Sequence, residues 1–400
     1  MKFSQSLIAL AACFLPLIAA APVEAQNAKI RSPGAQAIIP DSYIVVFNKG
    51  ANDADIESEF ASVSRILSKR SSAHKGVGHK YSITGFKGYQ IETDTASIGE
   101  IAASPLVAWI EKDGKVQANA LETRSGATWG LGRISHKAAG SNSYVYDSSA
   151  GSGSTVYVVD TGIYIEHSEF EGRAKWGANY ISGSPDTDEN GHGTHCAGTV
   201  AGASYGVASK ANLVAVKVLD RDGSGSNSGV IAGINYVGQN GGDGKSVLSM
   251  SLGGSYSAAL NSAVESTISN GVTVVVAAGN DGADASNYSP ASAKNAITVG
   301  AIDNTDARAG FSNYGSVLDV FAPGVDVKSA WIGSKSASNT ISGTSMATPH
   351  VAGLAAYLIG LGGLSSPSAV AAKIASIGIQ GSVTDPKGSV NLIAYNGNGA

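Results

Sequence analysis

An α/β fold with a buried parallel sheet is predicted for the larger part of this chain, preceded by a small α+β unit, on three observations. Beyond residue 155, four near-continuous apolar runs, TVYVVD, LVAVKVLD, VLSMSLGG and GVTVVVAAGN, alternate with segments of helical periodicity, the pattern of strands covered on both faces. The first 119 residues follow a different order of shorter elements. Fifty-one glycines favour tight turns and close backbone approach over long regular helices.

In chain order, MKFSQSLIALAACFLPLIAAAPVEAQ has one lysine, an apolar run over residues 7–19 and then small residues. It predicts a secretory signal, too short and wrongly flanked for a membrane span. Cleavage after Ala20 keeps Pro22 out of the position just past the cut, and cleavage after Ala25 is the alternative. No later stretch is long and apolar enough to span a bilayer. Of the two cysteines, Cys13 lies in the signal, so Cys196 stands alone and no intramolecular disulfide is expected.

DSYIVVFN predicts a strand, DADIESEFASVSRILSK an amphipathic helix, YSITGFKGYQIET two short strands around a turn, TASIGEIAAS a second helix and VAWIEKDGKVQ a last strand. That βαββαβ order is the ferredoxin-like split-βαβ pattern, which carries no function by itself. ANALETRSGATW is polar and without periodicity, so a linker is expected there, with a cut near Asn119 and Ala120. The expected division is a signal over 1–20, a small domain over 21–119 and the main domain over 120–400. The main domain holds 15 Lys+Arg against 20 Asp+Glu, a net of −5, which makes nucleic acid a poor partner.

Chemistry concentrates in NTISGTSMATPHVAGLAA. Pro349 is tolerable only near a helix start, so Ser345 is expected at a helix N-terminus, where free N–H groups and the dipole favour developing negative charge. Taken alone, the same serine fits an N-cap. Asp160 closes the run TVYVVD, and His192 opens a helical stretch in NGHGTHCAG. His195 and Cys196 nearby suggest a metal, but one Cys and two His fall short of a four-ligand zinc set. Serine chemistry needs a base for the hydroxyl proton and a carboxylate to orient that base. Asp160, His192 and Ser345 supply all three, in the chain order Asp, His, Ser and without a G-x-S-x-G elbow.

The motifs VVDTGI, GHGTHCAGTVAG and SGTSMATPHVAG resemble those of the subtilisin-like serine proteases, and WGLGRIS, SNYGSVLD and NLIAYN extend the similarity to the proteinase K branch, of the fungal secreted type, over nearly all of residues 120–400. The resemblance implies a three-layer subtilisin-like catalytic domain and an N-terminal propeptide acting as inhibitor and chaperone. It implies an oxyanion role for the Asn280 side chain with the Ser345 N–H. It implies a primary specificity pocket walled by Ser251, Leu252, Gly253 and Gly254 with Ala277, Ala278 and Gly279, whose small uncharged side chains suit apolar or aromatic residues. Gly223, Ser224 and Gly225 would border the peptide-binding cleft and pair with substrate backbone. Asn227 stands where relatives often carry tyrosine.

Structural calcium is implied at Asp319 with carbonyls of Lys294 and Ala296, an oxygen set suited to this cation, and no organic cofactor. The expected protein is a secreted, self-processing, monomeric endopeptidase acting on proteins and peptides through an acyl-enzyme, with neither nucleic acid nor membrane as partner. A catalytically dead binder would not clear casein. A dinucleotide enzyme using GSGSNSG is disfavoured by the spacing, the missing Walker lysine and the neighbouring Asp220 and Asp222.

Overall fold

A computed structural model describes residues 29–31, 38–69, 76–114, 121–364 and 366–399; the expected signal peptide and the expected cut at Asn119 and Ala120 lie outside them. The chain divides into two compact units, residues 1–116 and 117–400, slightly ahead of the expected boundary.

In the first unit the strands Ile38–Phe47, Gly76–Ile83, Phe86–Glu92 and Val107–Gly114 and the helices Asp53–Ser68 and Thr95–Ala102 follow the expected βαββαβ order. A two-residue strand, Ile30–Arg31, joins the sheet edge parallel to Val107–Gly114. The longer helix starts at a capping box in which the Asn52 side chain accepts from Asp55 N and the Asp55 carboxylate accepts from Asn52 N, so two orphan donors are satisfied reciprocally. Val45, Val63, Tyr89, Ile91, Ile98 and Ile110 fill its core.

The second unit is built on a nine-stranded sheet, numbered here within this unit. Its main elements are β1 (Thr155–Asp160), β2 (Ala174–Asn179), α1 (His192–Ala201), β3 (Asn212–Lys217), α2 (Asn227–Asn240), β4 (Ser246–Met250), α3 (Ala258–Ser269), β5 (Thr273–Ala277), β6 (Ile297–Ile302), β7 (Val320–Pro323), α4 (Thr344–Gly360), α5 (Pro367–Ile377), β8 (Ile379–Gln380) and β9 (Leu392–Ile393). Strand order is β8-β9-β7-β6-β5-β4-β1-β3-β2, parallel throughout except between β8 and β9.

Side chains alternate across the sheet. Val156 and Val158 of β1 enter a core shared with Cys196, Ala197 and Val200 of α1 and Val351 and Leu354 of α4. Tyr157 and Val159 enter the opposite core with Ile234 of α2 and Leu260 and Val264 of α3. Both faces are covered, so the strands read as unbroken apolar runs, and each fully buried Val or Leu contributes roughly 1.5–3 kcal/mol. Small residues let α4 lie close to α1: a side chain at Gly353 would meet the Val200 carbonyl oxygen at 2.9 Å.

Two expectations change. The stretch read as a linker contains a strand, Leu121–Ser125, antiparallel to Ser143–Asp147, and a helix begins at Trp129. Its strand character comes from partners rather than periodicity: Arg124 lies over the Tyr144 and Tyr146 rings, and Tyr146 donates to Glu122 at 2.8 Å. SLGG does not prolong its strand either. β4 ends at Met250, and Gly254–Ser255 pairs separately with Tyr288–Ser289, because the intervening backbone turns out of the sheet to wall a cavity.

Candidate active site

Asp160 is the last residue of β1 and fully buried, while His192 is the first of α1. His192 Nδ1 lies 2.7 Å from Asp160 Oδ1, which also accepts from Thr161 N at 2.7 Å. An ionised carboxylate only accepts, so Nδ1 carries the hydrogen and Nε2 is left as the acceptor. The His192 side chain is 24% exposed and the Asp160 side chain not at all, so the imidazole is the member of the pair that meets the cleft. Burial pulls the imidazole pKa down, but the Asp160 charge, the hydrogen bond to it and the Asp188 charge outweigh that and hold it above its ordinary value.

Asp160, His192 and Cys196 offer ligand atoms within 4.8 Å of one another. Their chemistry does not suit a cation: Nδ1 is already engaged with Asp160, and burial above all holds the Cys196 thiol protonated. The neighbouring His195 binds the Val327 carbonyl through Nε2 at 3.0 Å, and burial pushes it down to about 4, so it is neutral.

Ser345 is the second residue of α4, behind the N-cap Gly343. Pro349 has no N–H, so the Ser345 carbonyl four residues earlier loses its helical partner. That carbonyl accepts instead from Ser251 Oγ at 2.8 Å and from Cys196 Sγ at 3.5 Å. Cys196 thereby joins the serine to the Asp160–His192 pair. The Ser345 hydroxyl donates to the Ser251 carbonyl at 3.0 Å; hydrogen bonds within a site often tighten only when substrate binds.

Asn280 follows β5. Its Oδ1 accepts from Thr344 N at 2.8 Å and Thr344 Oγ1 at 2.9 Å; a backbone N–H can only donate, so the amide nitrogen faces the other way. The first carbon of a side chain at Gly343 would lie 3.6 Å from Ser345 N and 3.7 Å from Asn280 Nδ2, so both donors border one small space. The loop holding Asn280 is stapled by buried Asn313, whose Oδ1 accepts from Asp281 N and Ala283 N, both at 3.0 Å, and whose Nδ2 donates to the Ala278 carbonyl at 2.9 Å. The same contact explains Gly279, at φ +103°, where a side chain would strike the Asn313 amide.

All ten expected cleft residues line two adjoining cavities that share Leu252, Gly253, Gly254 and Ser289. One, of about 450 Å³, is bordered by His192, Ser251, Gly223, Ser224 and Gly225; the other, of about 560 Å³, by Ala277, Ala278, Gly279, Asn280 and Ser345. Asn227 also lines the first, and Asp281 and Tyr288 the second. Asp281 follows Asn280 directly, and the same turn adds its carboxyl group to the wall beside the expected small uncharged residues.

Asp319, Lys294 and Ala296 line a third cavity of about 480 Å³. Asp319 Oδ2 accepts from Thr298 N at 2.8 Å, and burial pushes the carboxyl up to about 6 against that bond. A carboxylate lining one cavity with two loop residues offers oxygen donors of the kind that suit calcium.

Three contributors escaped the sequence. Asn313 lies in SNYGSVLD and Pro349 in SGTSMATPHVAG, but neither motif shows which hydrogen bonds these residues control. Asp188 stands in DENGHG, where an acid just before a helix start was the available signal; it is buried and caps α1 through Thr194 N at 2.9 Å.

Residues 151–376 match the family described as Subtilase family, and residues 42–119 match Peptidase inhibitor I9. The chain is 94% identical to "Subtilisin-like protease 2" of Pseudogymnoascus destructans, over 100% of both chains. It is 51% identical to "Alkaline protease 1" of Aspergillus clavatus, over 90% of this chain and 92% of that one. With the "Cuticle-degrading serine protease" of Arthrobotrys oligospora it shares 51% identity over 92% and 93%. Among solved structures, a cold adapted subtilisin-like serine proteinase shares 45% identity at a TM-score of 0.65, covering 68% of this chain and 99% of that one.

Proposed function

Because the chain belongs to the subtilase family and is a serine endopeptidase with an I9 inhibitor domain, we propose that Asp160, His192 and Ser345 are its orienting carboxylate, general base and nucleophile. The observation that carries this reading is the 2.7 Å bond from His192 Nδ1 to Asp160, which leaves Nε2 free to accept on a side chain that lines the cleft. Ser345 Oγ attacks the scissile carbonyl as its proton passes to Nε2, and the oxyanion is held by the Ser345 N–H and Asn280 Nδ2. The imidazolium then protonates the leaving amine, giving an acyl-enzyme, and water repeats the sequence in reverse. Phenylmethylsulfonyl fluoride is expected to inactivate the enzyme and label Ser345; label on another serine would overturn the assignment.

Specificity is proposed to be broad, with apolar or aromatic residues before the cut entering the cavity walled by Gly253, Gly254, Ala277 and Ala278. Peptide backbone would pair along Gly223, Ser224 and Gly225. A peptide-library profile tests both.

Residues 1–20 are proposed as a secretory signal, residues 21–119 as an inhibitory propeptide and 120–400 as the mature enzyme. The I9 match ends at residue 119, at the proposed cut, and no helix among the described residues is long and apolar enough to cross a membrane. Ser345→Ala, expressed where no other protease is present, is expected to accumulate as uncut precursor. Normal processing of that variant, read by N-terminal sequencing, would assign the cut to another enzyme.

Calcium is proposed to be held by Asp319 and the carbonyls of Lys294 and Ala296, supplying a rigid cross-link between two loops of an enzyme without disulfides. Binding confined to the native state adds roughly 2.7 kcal/mol at a hundredfold excess over Kd. A chelator is expected to shorten the thermal half-life while leaving the initial rate of peptide cleavage nearly intact. An unchanged half-life, or an Asp319→Asn variant as calcium-responsive as wild type, would show the site to be wrong.

A further inference from the structure

We propose that Asp188 is a positioning residue for the Asp160–His192 pair: its buried carboxylate ties the helix start that carries the base to the strand end that carries the orienting acid, and gives the imidazole a second negative charge nearby. The inference rests on the triad reading above.

The first N–H groups of a helix have no intrahelical partner. In α1 the N-cap is Gly191, which has no side chain to offer, so their partners come from elsewhere. His192 N donates to Asn190 Oδ1 at 3.2 Å, Gly193 N to Thr161 Oγ1 at 2.9 Å and Thr194 N to Asp188 Oδ2 at 2.9 Å. Asp188, 4% exposed, also accepts from Asn190 N at 3.0 Å, Gly191 N at 2.9 Å, Thr194 Oγ1 at 2.6 Å and Thr161 Oγ1 at 2.9 Å.

Thr161 is the residue after Asp160. Its hydroxyl donates to Asp188 and accepts from Gly193, so one side chain joins β1, the loop and α1 immediately beside both members of the pair. Orientation at this level matters because small displacements of a base cost large factors in rate.

The titratable and charged groups around the imidazole are few. Asp160 faces it from β1, and Cys196 and His195 belong to its own helix. Burial leaves both of the latter neutral, as it does His350 of α4, pushed down to about 4. Lys217 of β3 turns its buried ammonium to the Thr161 carbonyl at 2.7 Å, with Glu189 at 3.9 Å. Asp188 is the negative group besides Asp160 that helps to raise the His192 pKa. Replacing it by a neutral isostere makes the imidazolium less stable, so the basic form persists to lower pH.

The test compares mature wild type with Asp188→Asn, Thr161→Val and Thr161→Ser, each normalised by sulfonyl fluoride titration of Ser345. Asp188→Asn is expected to lower kcat about ten- to a hundredfold with little change in KM, and to move the acid limb of kcat/KM to lower pH. Thr161→Val keeps the charge, so it is expected to lower kcat without moving the limb, and Thr161→Ser to restore it. Wild-type kcat and an unmoved limb in Asp188→Asn would overturn the proposal. If that variant does not fold, equal kcat in the Val and Ser variants of Thr161 overturns it. Wild type that fails to label at Ser345 would instead sink the triad reading.

Discussion

Alanine at Ser345 is expected to lower kcat by roughly a millionfold with KM nearly unchanged, a magnitude taken from subtilisin itself rather than deduced from this geometry. On the proposed mechanism the hydroxyl supplies the bond-forming atom, whereas the peptide would be held by the loop and cavity residues. His192→Ala is expected to cost about as much as Ser345→Ala, and the double variant little more, because the base has no task once the hydroxyl is gone. Since Ser345→Ala is not expected to process itself, the measurement needs the variant released by added wild-type enzyme, followed by inhibition and removal of that enzyme. A loss smaller than about tenfold would remove Ser345 from the chemical step.

Asn280→Ala is expected to reduce kcat by about a hundred- to a thousandfold, again a size known from subtilisin. On the proposed reading two functions of one amide are lost together: Nδ2 toward the oxyanion, and Oδ1, which accepts from the backbone and hydroxyl of Thr344. An unsatisfied Thr344 N–H costs about 1–3 kcal/mol of stability. Asn280→Asp separates the two, because a carboxylate still accepts from Thr344 but donates nothing. Both variants are expected to lose kcat, and only alanine to lower Tm through the orphaned N–H. An unchanged kcat in the alanine variant would exclude Asn280 from the oxyanion site.

Much of this was legible beforehand where the physics is local. TVYVVD and GVTVVVAAGN could be read as doubly covered strands because burial on both faces requires unbroken apolar runs, and α3 falls between two of those runs, where helical periodicity was expected. The strand Leu121–Ser125 was missed because a polar strand held by cross-strand rings carries no periodic signal. SLGG was overextended because apolar composition continues past the point where the backbone leaves the sheet. Asp281 was missed as a cavity wall because whether a polar side chain lines a cleft depends on the direction of the turn that carries it.

The sequence by itself determined the family, the alternation of strands and helices, and the three residue types, in order, that serine chemistry demands, since motif and periodicity are properties of neighbours along the chain. Only the tertiary structure decided how those residues are held. Asp188 and Thr161 meet at the start of α1, Asn313 staples the Asn280 loop from 33 residues further on, and Ser251 takes up the Ser345 carbonyl that Pro349 leaves free. Each is a hydrogen bond between segments distant in sequence, formed because a buried polar group must find a partner wherever the fold brings one. No spacing in the chain encodes which partner that is.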